Sequence, residues 1–127
     1  MILDTSLLFA FYAKFDPNHD EAVRILEQMK EAKETLIVPQ EVIAELCSVL
    51  TYKSSLADSL AAVEGLLGDP LYYKADSMHP QQVVLLLKEL NASISYTDAV
   101  VLLHGRTSRQ GILTLDRQMK SLSKKVL

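Results

Sequence analysis

The sequence predicts an α/β fold: a three-layer α/β/α sandwich with a central, mostly parallel sheet, formed by residues 1–127 as one domain. Two observations lead to this prediction. Short apolar runs alternate along the chain with longer segments whose apolar residues recur at helical spacing. The chain has 127 residues, of which 49% are hydrophobic and 23% charged, and this suits one globular domain with a sizeable core.

The predicted strands are short, and turn residues or acids follow several of them. The run Met1-Ile2-Leu3 stops at Asp4, and Pro39 closes the second strand while suiting the first turn of the next helix. The predicted strands cover residues 1–3, 36–38, 71–73, 112–114 and, at the edge of the sheet, 126–127.

The predicted helices lie between these strands, at residues 5–13, 18–33, 39–52, 56–67, 80–90, 97–107 and 117–122. Asn18 is the expected N-cap of the second helix. In the fourth helix Leu56, Leu60, Val63 and Leu67 form an apolar stripe. We expect this stripe to lie mainly in the core, although the third and fourth helices could instead present an apolar dimer face.

Several classes of protein are disfavoured by the sequence. The apolar runs are too short to cross a bilayer, and Asp4 interrupts the N-terminus before a signal peptide could develop. Cys47 is the only cysteine, so neither a disulfide framework nor a cysteine metal site is expected. These observations predict a cytoplasmic protein without a membrane partner.

Four carboxylates stand where an α/β sheet would bring them together. Asp4 and Asp116 each follow an apolar strand-like run, Asp98 begins a helix, and Glu45 lies inside the third helix. Ligands of open parallel sheets bind beyond the carboxyl ends of the strands, where Asp4 and Asp116 would both lie. Clustered carboxylates suit Mg²⁺ or Mn²⁺, and such sites commonly serve phosphate chemistry.

Glu45 has a competitor one helical turn earlier, Glu41. At about 100° per residue, Glu45 falls roughly 40° from Val49, on the shoulder of the buried stripe. Glu41 is expected to lie further round toward solvent. We therefore take Glu45 as the ligand and Glu41 as a surface residue.

Hydroxyl side chains accompany the acids. Ser6 lies two residues after Asp4, and Thr114 two residues before Asp116, so both could orient a carboxylate or bond a phosphate. Such residues also serve simply as caps, and Thr97 or Tyr96 is expected near the cap of the sixth helix.

Charge is unevenly distributed. The net charge is −3, yet residues 99–127 hold six Lys and Arg against one acid, Asp116. This basic stretch could hold a phosphate backbone, or it could be an ordinary solvated helix face. None of the five tyrosines forms a recognisable base-stacking motif.

Four segments in order resemble the motifs of the PIN domain family. They are Leu3-Asp4-Thr5-Ser6, residues 38–46 (VPQEVIAEL), Tyr96-Thr97-Asp98-Ala99 and Leu113-Thr114-Leu115-Asp116. The resemblance implies a Rossmann-like fold and a metal-dependent ribonuclease. Its carboxylate set would be Asp4, Glu45, Asp98 and Asp116, supported by the hydroxyls of Ser6 and Thr114.

Small stand-alone PIN proteins are often toxins similar to the VapC group. This would imply a homodimer, an RNA substrate and a small antitoxin that blocks the metal site. The family's last motif often carries an additional acid or aromatic residue after the final aspartate. Here Arg117, Gln118 and Met119 occupy that stretch, so no fifth carboxylate is expected there.

Two other functions remain open. Asp4 could be the nucleophile of a phosphatase, but the haloacid-dehalogenase pattern needs a second aspartate where this chain has Ser6. Alternatively, the protein could be a catalytically silent RNA-binding or assembly module. We expect His19 and His79 at the surface or as caps, and His104 either buried or at an interface, with no zinc-ligand spacing among them.

Overall fold

A computed structural model describes residues 1–127 and contains four strands and seven helices. The strands are β1 (Ile2–Leu3), β2 (Leu36–Pro39), β3 (Tyr72–Ala75) and β4 (Ile112–Leu113). The helices are α1 (Thr5–Tyr12), α2 (His19–Glu31), α3 (Gln40–Lys53), α4 (Leu56–Gly68), α5 (Pro80–Leu90), α6 (Tyr96–Ser108) and α7 (Arg117–Val126). The predicted α/β/α class is confirmed.

The four strands form one sheet in the order β3-β2-β1-β4, and every neighbouring pair is parallel. Ile2 pairs with Ile37 on one side and with Ile112 on the other, so β1 lies inside the sheet. The strand order reverses beside β1, because the chain goes first to β2 and β3 and only later to β4. The carboxyl ends of β1 and β4 therefore flank the position where an open α/β sheet forms its binding crevice.

The core is built around β1 and α6. Ile2 and Leu3 are fully buried, and the α6 residues 99–103 are all buried. A helix with such a continuous apolar run has to pack on several sides, and α6 contacts β1, β2, β4, α3, α5 and α7. No helix of the protein combines the length and the apolar character needed to cross a bilayer.

One sequence prediction about the C-terminal half is wrong. The strand predicted at 71–73 forms, at Tyr72–Ala75, but the edge strand predicted at 126–127 does not form. Instead α7 continues to Val126, because Met119, Leu122 and Val126 are buried on one face of this helix. Helical spacing over these three residues supplies a continuous face against α6.

The apolar stripe of α4 is also not in the core. Leu56, Leu60 and Leu67 are 60%, 46% and 53% exposed. The helix instead buries Ser59, Ala62 and Leu66, and the Ser59 hydroxyl donates to the Cys47 carbonyl of α3 at 2.8 Å. Small residues allow α4 to approach α3 closely, which turns the leucines outward.

Polar contacts near helix starts differ in detail from the predictions. Asn18 occupies the N-cap of α2 but makes no side-chain cap bond. His79 caps α5 by accepting from the Gln81 amide at 3.3 Å, as expected for a capping residue. His19 Nδ1 contacts the Ala10 carbonyl at 2.8 Å and thereby ties α2 to α1, while His104 is half-buried.

Two helical glycines provide a matched test of this packing. A Cβ on Gly65 of α4 would meet nothing within 4 Å, whereas a Cβ on Gly105 of α6 would lie 3.0 Å from Ile112 and 3.2 Å from the Gln110 carbonyl oxygen. Because alanine favours a helix over glycine, we expect Gly65→Ala to raise the free energy of unfolding by about 0.5–1 kcal/mol. Gly105→Ala should lower it by about 1–2 kcal/mol through overpacking against β4. Urea titration of both variants measures the difference, and equal stabilisation by both would contradict the close approach of α6 to β4.

Candidate active site

An open cavity of about 410 Å³ lies at the carboxyl ends of β1 and β4, and all four predicted carboxylates line it. They come from four different parts of the chain. Asp4, Asp98 and Asp116 each lie where a helix begins, and Glu45 lies inside α3. The complete lining is Asp4, Thr5, Ser6, Phe9, Asp16, Asn18, Glu45, Val49, Lys53, Asp98, Leu115 and Asp116.

Asp4 is the most enclosed of these carboxylates, with 2% of its surface exposed. It follows β1 and is the N-cap of α1, where its Oδ1 accepts from the Thr5 amide at 2.9 Å. Its Oδ2 accepts from the Thr114 hydroxyl at 2.6 Å and from the Ser6 hydroxyl at 3.1 Å. Three donors therefore hold this side chain in one orientation.

The two predicted hydroxyls connect Asp4 to the turn between β4 and α7. Thr114 Oγ1 accepts from the Asp116 amide at 3.0 Å, and Ser6 Oγ accepts from the Leu115 amide at 3.1 Å. Each hydroxyl thus donates to Asp4 and accepts from the backbone of this turn. Ser6 and Thr114 therefore fix Asp4 relative to Asp116.

Asp98 lies in the first turn of α6 and takes part in a capping box with Ser95. The Ser95 hydroxyl accepts from the Asp98 amide at 3.0 Å, while Asp98 Oδ2 accepts from the Ser95 amide at 3.3 Å. The N-cap is therefore Ser95, and Tyr96 and Thr97 follow it as the first two residues of the helix, near the cap as predicted. The capping box engages one carboxylate oxygen of Asp98 and leaves the other available to the cavity.

Asp116 has the same double role at α7. It is the exposed N-cap of that helix, and its Oδ1 accepts from the Met119 amide at 3.0 Å. Asp4, Asp98 and Asp116 thus all stand at helix N-termini, where free amide groups and the helix dipole favour negative charge. A capping role and a ligand role are compatible, because each carboxylate has a second oxygen.

Glu45 is half-buried in the second turn of α3 and lines the cavity beside Val49. Glu41 does not line it, but the prediction that Glu41 faces solvent is wrong. Its Oε2 accepts from the Met78 amide at 2.9 Å, and its Oε1 is buried without a hydrogen-bond partner. The segment between β3 and α5 covers Glu41, which helical periodicity alone does not reveal.

Burial and mutual repulsion shift the proton affinity of two acids. Burial raises the pKa of Asp4 to about 6, and repulsion from Asp98 adds to the rise, although the Thr114 and Ser6 hydroxyls and the Thr5 amide oppose it. Burial likewise raises the pKa of Asp98, with further repulsion from Glu45 and Asp116. The four carboxylates therefore interact through Asp98.

The donor set fits a hard divalent cation in its chemistry, because it consists of carboxylate oxygens. As the side chains stand, however, no three His, Cys, Asp or Glu side chains are grouped closely enough to hold a metal ion. Asp4 is fixed by its hydrogen bonds, whereas Asp116 is exposed and Glu45 has a longer side chain. Without a cation, like charges are expected to stay apart.

Sequence reasoning did not place Asp16, Asn18 or Lys53 in this cavity, although its charge made Lys53 a candidate phosphate contact. Lys53 lies two turns after Glu45 on α3, and the spacing of Glu45, Val49 and Lys53 by four residues could have revealed it. Asp16 and Asn18 belong to the irregular connection between α1 and α2, where the Asp16 side chain accepts from the Asn18 amide at 2.8 Å. No sequence signal places that connection at this cavity.

The raised pKa of Asp4 predicts a specific pH dependence of stability in the metal-free protein. A carboxyl group whose pKa is about 6 when folded and 3.8 when unfolded binds a proton more tightly in the folded state. Its stabilising contribution is complete below pH 3.8 and is lost as the pH rises through 6. Between pH 7 and pH 5 we expect Asp4 to add about 1.4 kcal/mol of stability.

Denaturant titrations of the wild type and of Asp4→Asn across this range isolate the effect, because the variant lacks the titrating group. As the pH falls from 7 to 5, the free energy of unfolding of the wild type should rise relative to that of Asp4→Asn. Asp20→Asn, which removes an exposed carboxylate of α2, is the control and should follow the wild type. A pH-independent difference between wild type and Asp4→Asn would contradict the raised pKa.

Comparisons with known proteins agree with this architecture. VapC20 of Mycobacterium tuberculosis, described as a toxin that cleaves the sarcin–ricin loop, superposes with a TM-score of 0.80 at 16% identity, covering 95% of this chain and 93% of that one. PAE2754 of Pyrobaculum aerophilum superposes with a TM-score of 0.66 at 15% identity, covering 98% and 87%. At such identities these likenesses show a shared fold. No curated protein sequence matches the chain significantly. The PIN domain family model matches residues 1–125, and the chain therefore belongs to the PIN domain family.

Proposed function

We propose that this protein is a Mg²⁺- or Mn²⁺-dependent endoribonuclease that hydrolyses phosphodiester bonds in RNA. The observation that carries the proposal is the convergence of Asp4, Glu45, Asp98 and Asp116 on one cavity at the carboxyl ends of β1 and β4. Membership of the PIN family and the oxygen-rich lining both support it.

The four carboxylates are the proposed metal ligands. Asp4 is the fixed member, because three hydrogen-bond donors orient it. Glu45, Asp98 and Asp116 each have a carboxylate oxygen that makes no hydrogen bond within the protein, so these side chains are available to close around a cation. A bound divalent cation would activate a water molecule and stabilise negative charge on a phosphoryl oxygen.

The protein's own groups prepare this site in two ways. The helix N-termini of α1, α6 and α7 stabilise the ionised form of the acids that they carry. The hydroxyls of Ser6 and Thr114 donate to Asp4 and thereby favour its ionised form over its protonated form. Both effects oppose the rise in the pKa of Asp4 that burial produces.

The alternative in which Asp4 is a phosphatase nucleophile has little support. Asp4 is almost fully buried, and both of its oxygens accept hydrogen bonds. A nucleophile has to reach the phosphorus atom, which this enclosed carboxylate cannot do without breaking those bonds. A metal ligand only needs one lone pair directed into the cavity.

We further propose that the protein acts in the cytoplasm as the toxin of a toxin–antitoxin pair. The chain is similar in fold to VapC20, a toxin, over nearly its full length. A small antitoxin would then block the acidic cavity, and Lys53 would be within reach of acidic groups on that partner.

The metal-dependent activity makes a first functional prediction. Asp98→Asn should reduce cleavage of a fluorescent RNA in Mn²⁺ to the level of protein-free buffer, because a ligand is lost. Ser6→Ala should reduce it about 10- to 100-fold, because Asp4 loses one of its orienting donors. Activity of the wild type should fall as the pH is lowered, since protons compete with the metal for carboxylates.

Calorimetry with Mn²⁺ on the same samples distinguishes a lost metal site from a misfolded protein, and thermal melting confirms the fold. Asp20→Asn is the matched control and should cleave RNA like the wild type. Cleavage that continues unchanged in EDTA, or in Asp98→Asn, would rule out the proposed enzyme. A folded wild type that binds RNA but no metal would favour the RNA-binding module.

We also propose that the protein forms a homodimer through α4. The exposed leucines at positions 56, 60 and 67 are an apolar surface that a second copy could cover, and Tyr52, four residues before Leu56 near the end of α3, is 91% exposed. Leu67→Glu should shift the protein toward monomer in sedimentation velocity, because a charge would be buried in the contact. Leu85→Glu changes a leucine of α5 that is 64% exposed and should leave the assembly unchanged. A wild type that is monomeric, or dimers that survive Leu67→Glu, would contradict this interface.

A further inference from the structure

One wall of the acidic cavity is aromatic and basic. Phe9 enters the cavity from α1, and Lys53 enters it from the end of α3. The ammonium nitrogen of Lys53 lies 5.4 Å from the centre of the Phe9 ring. Phe15 meets Phe9 edge to face, with ring centres 6.1 Å apart and an interplanar angle of 76°. We refer to Phe9, Phe15 and Lys53 as the aromatic rim.

Phe15 is 62% exposed, so the core does not explain its presence. It stands directly before Asp16, which lines the acidic cavity, so the same connection carries both side chains. A second cavity of about 260 Å³ borders Phe15 and is also lined by Tyr12, Leu50 and Ser54, so there is open space beside the ring.

Lys53 is a cation without a carboxylate partner. The ion pairs of the protein are Arg24 with Glu21 and Arg106 with Glu89, and neither involves the cavity. Lys53 is also the only basic side chain in the lining, which otherwise holds five acids. A phosphate that approaches these acids is repelled by them, and Lys53 is the protein group there that attracts it.

We infer that the aromatic rim binds a nucleotide next to the cleaved bond, with the base stacked on Phe15 and its phosphate held by Lys53. This inference rests on the proposed function and specifies its substrate as single-stranded or locally unpaired RNA. Bases in a duplex are already stacked, whereas a free base face can lie on an exposed aromatic ring. Stacking is tolerant of sequence, because every base has such a face.

Equilibrium binding tests the rim separately from catalysis. The probe is a short fluorescein-labelled single-stranded RNA of mixed sequence, titrated with full-length protein carrying Asp98→Asn to prevent turnover. Against this background, Phe15→Leu should weaken binding about 5- to 100-fold, the equivalent of one stacked base. Phe15→Tyr keeps an aromatic face and should bind within about twofold of the parent.

Salt dependence separates the two side chains of the rim. Lys53→Met should reduce the slope of log Kd against log salt by about 0.7, because one phosphate contact is lost. Phe15→Leu should leave that slope unchanged. The controls are Tyr73→Leu, which removes an aromatic ring that is 64% exposed, and Lys88→Met on α5. Neither residue lines the acidic cavity, and neither change should alter binding.

An RNA series in which single nucleotides lack their base identifies the stacked position. Loss of the base that stacks on Phe15 should weaken binding to the parent, but should have little further effect on Phe15→Leu. The inference would be overturned if base removal and Phe15→Leu had additive effects on binding at every RNA position, or if Phe15→Leu left the affinity unchanged. Because Phe15 is exposed, melting temperatures of its variants should match the parent.

A cleavage assay of the wild type in Mn²⁺ distinguishes failure of the aromatic-rim inference from failure of the proposed nuclease activity. If the RNA is cleaved while Phe15→Leu and Lys53→Met bind like the parent, the aromatic rim does not bind the nucleotide, and the proposed nuclease activity is supported. If these variants lose affinity as predicted while the wild type cleaves nothing, the rim is an RNA-binding surface and the nuclease is wrong.

Discussion

The hydrogen bond from the Thr114 hydroxyl to Asp4 is the interaction on which the site depends. A carboxylate as enclosed as Asp4 would be strongly destabilising without donors, because burial removes its hydration. Thr114 and Ser6 provide them, and both also accept from the backbone before α7. The two chain ends of the fold, β1 with α1 and β4 with α7, are thereby joined at a single buried anion. Removal of either hydroxyl would disturb the orientation of the acid and the position of the turn that carries Asp116.

Much of this arrangement could be predicted from the sequence, because it follows from chain direction. Parallel strands place Asp4 and Asp116 at one edge, and an acid in the first turn of α6 is favoured by the helix dipole. Helical periodicity could not identify which neighbour covers a given face. It therefore failed for Glu41, which the segment before α5 covers, and for the leucines of α4, which small residues turn outward.

The aromatic rim shows a second limit of sequence reasoning. The connection between α1 and α2 has no periodicity, so nothing in its sequence indicates that Asp16 reaches the cavity or that Phe15 meets Phe9. The charge of Lys53 alone does not place this side chain in the cavity. Its position emerges when α3 is placed against α1, since Glu45 and Lys53, two turns apart, then face the same cavity.

Helix polarity accounts for the distribution of charge around the cavity. Asp4, Asp98 and Asp116 stand at the N-termini of α1, α6 and α7, whereas Lys53 is the last residue of α3. Each charge thus lies at the helix end that stabilises it. The proposed ribonuclease needs negative charge to hold a cation and positive charge to hold a phosphate, and these opposite groups would neutralise each other if they formed ion pairs. By taking them from opposite ends of different helices, the fold provides both charges in one cavity without pairing them.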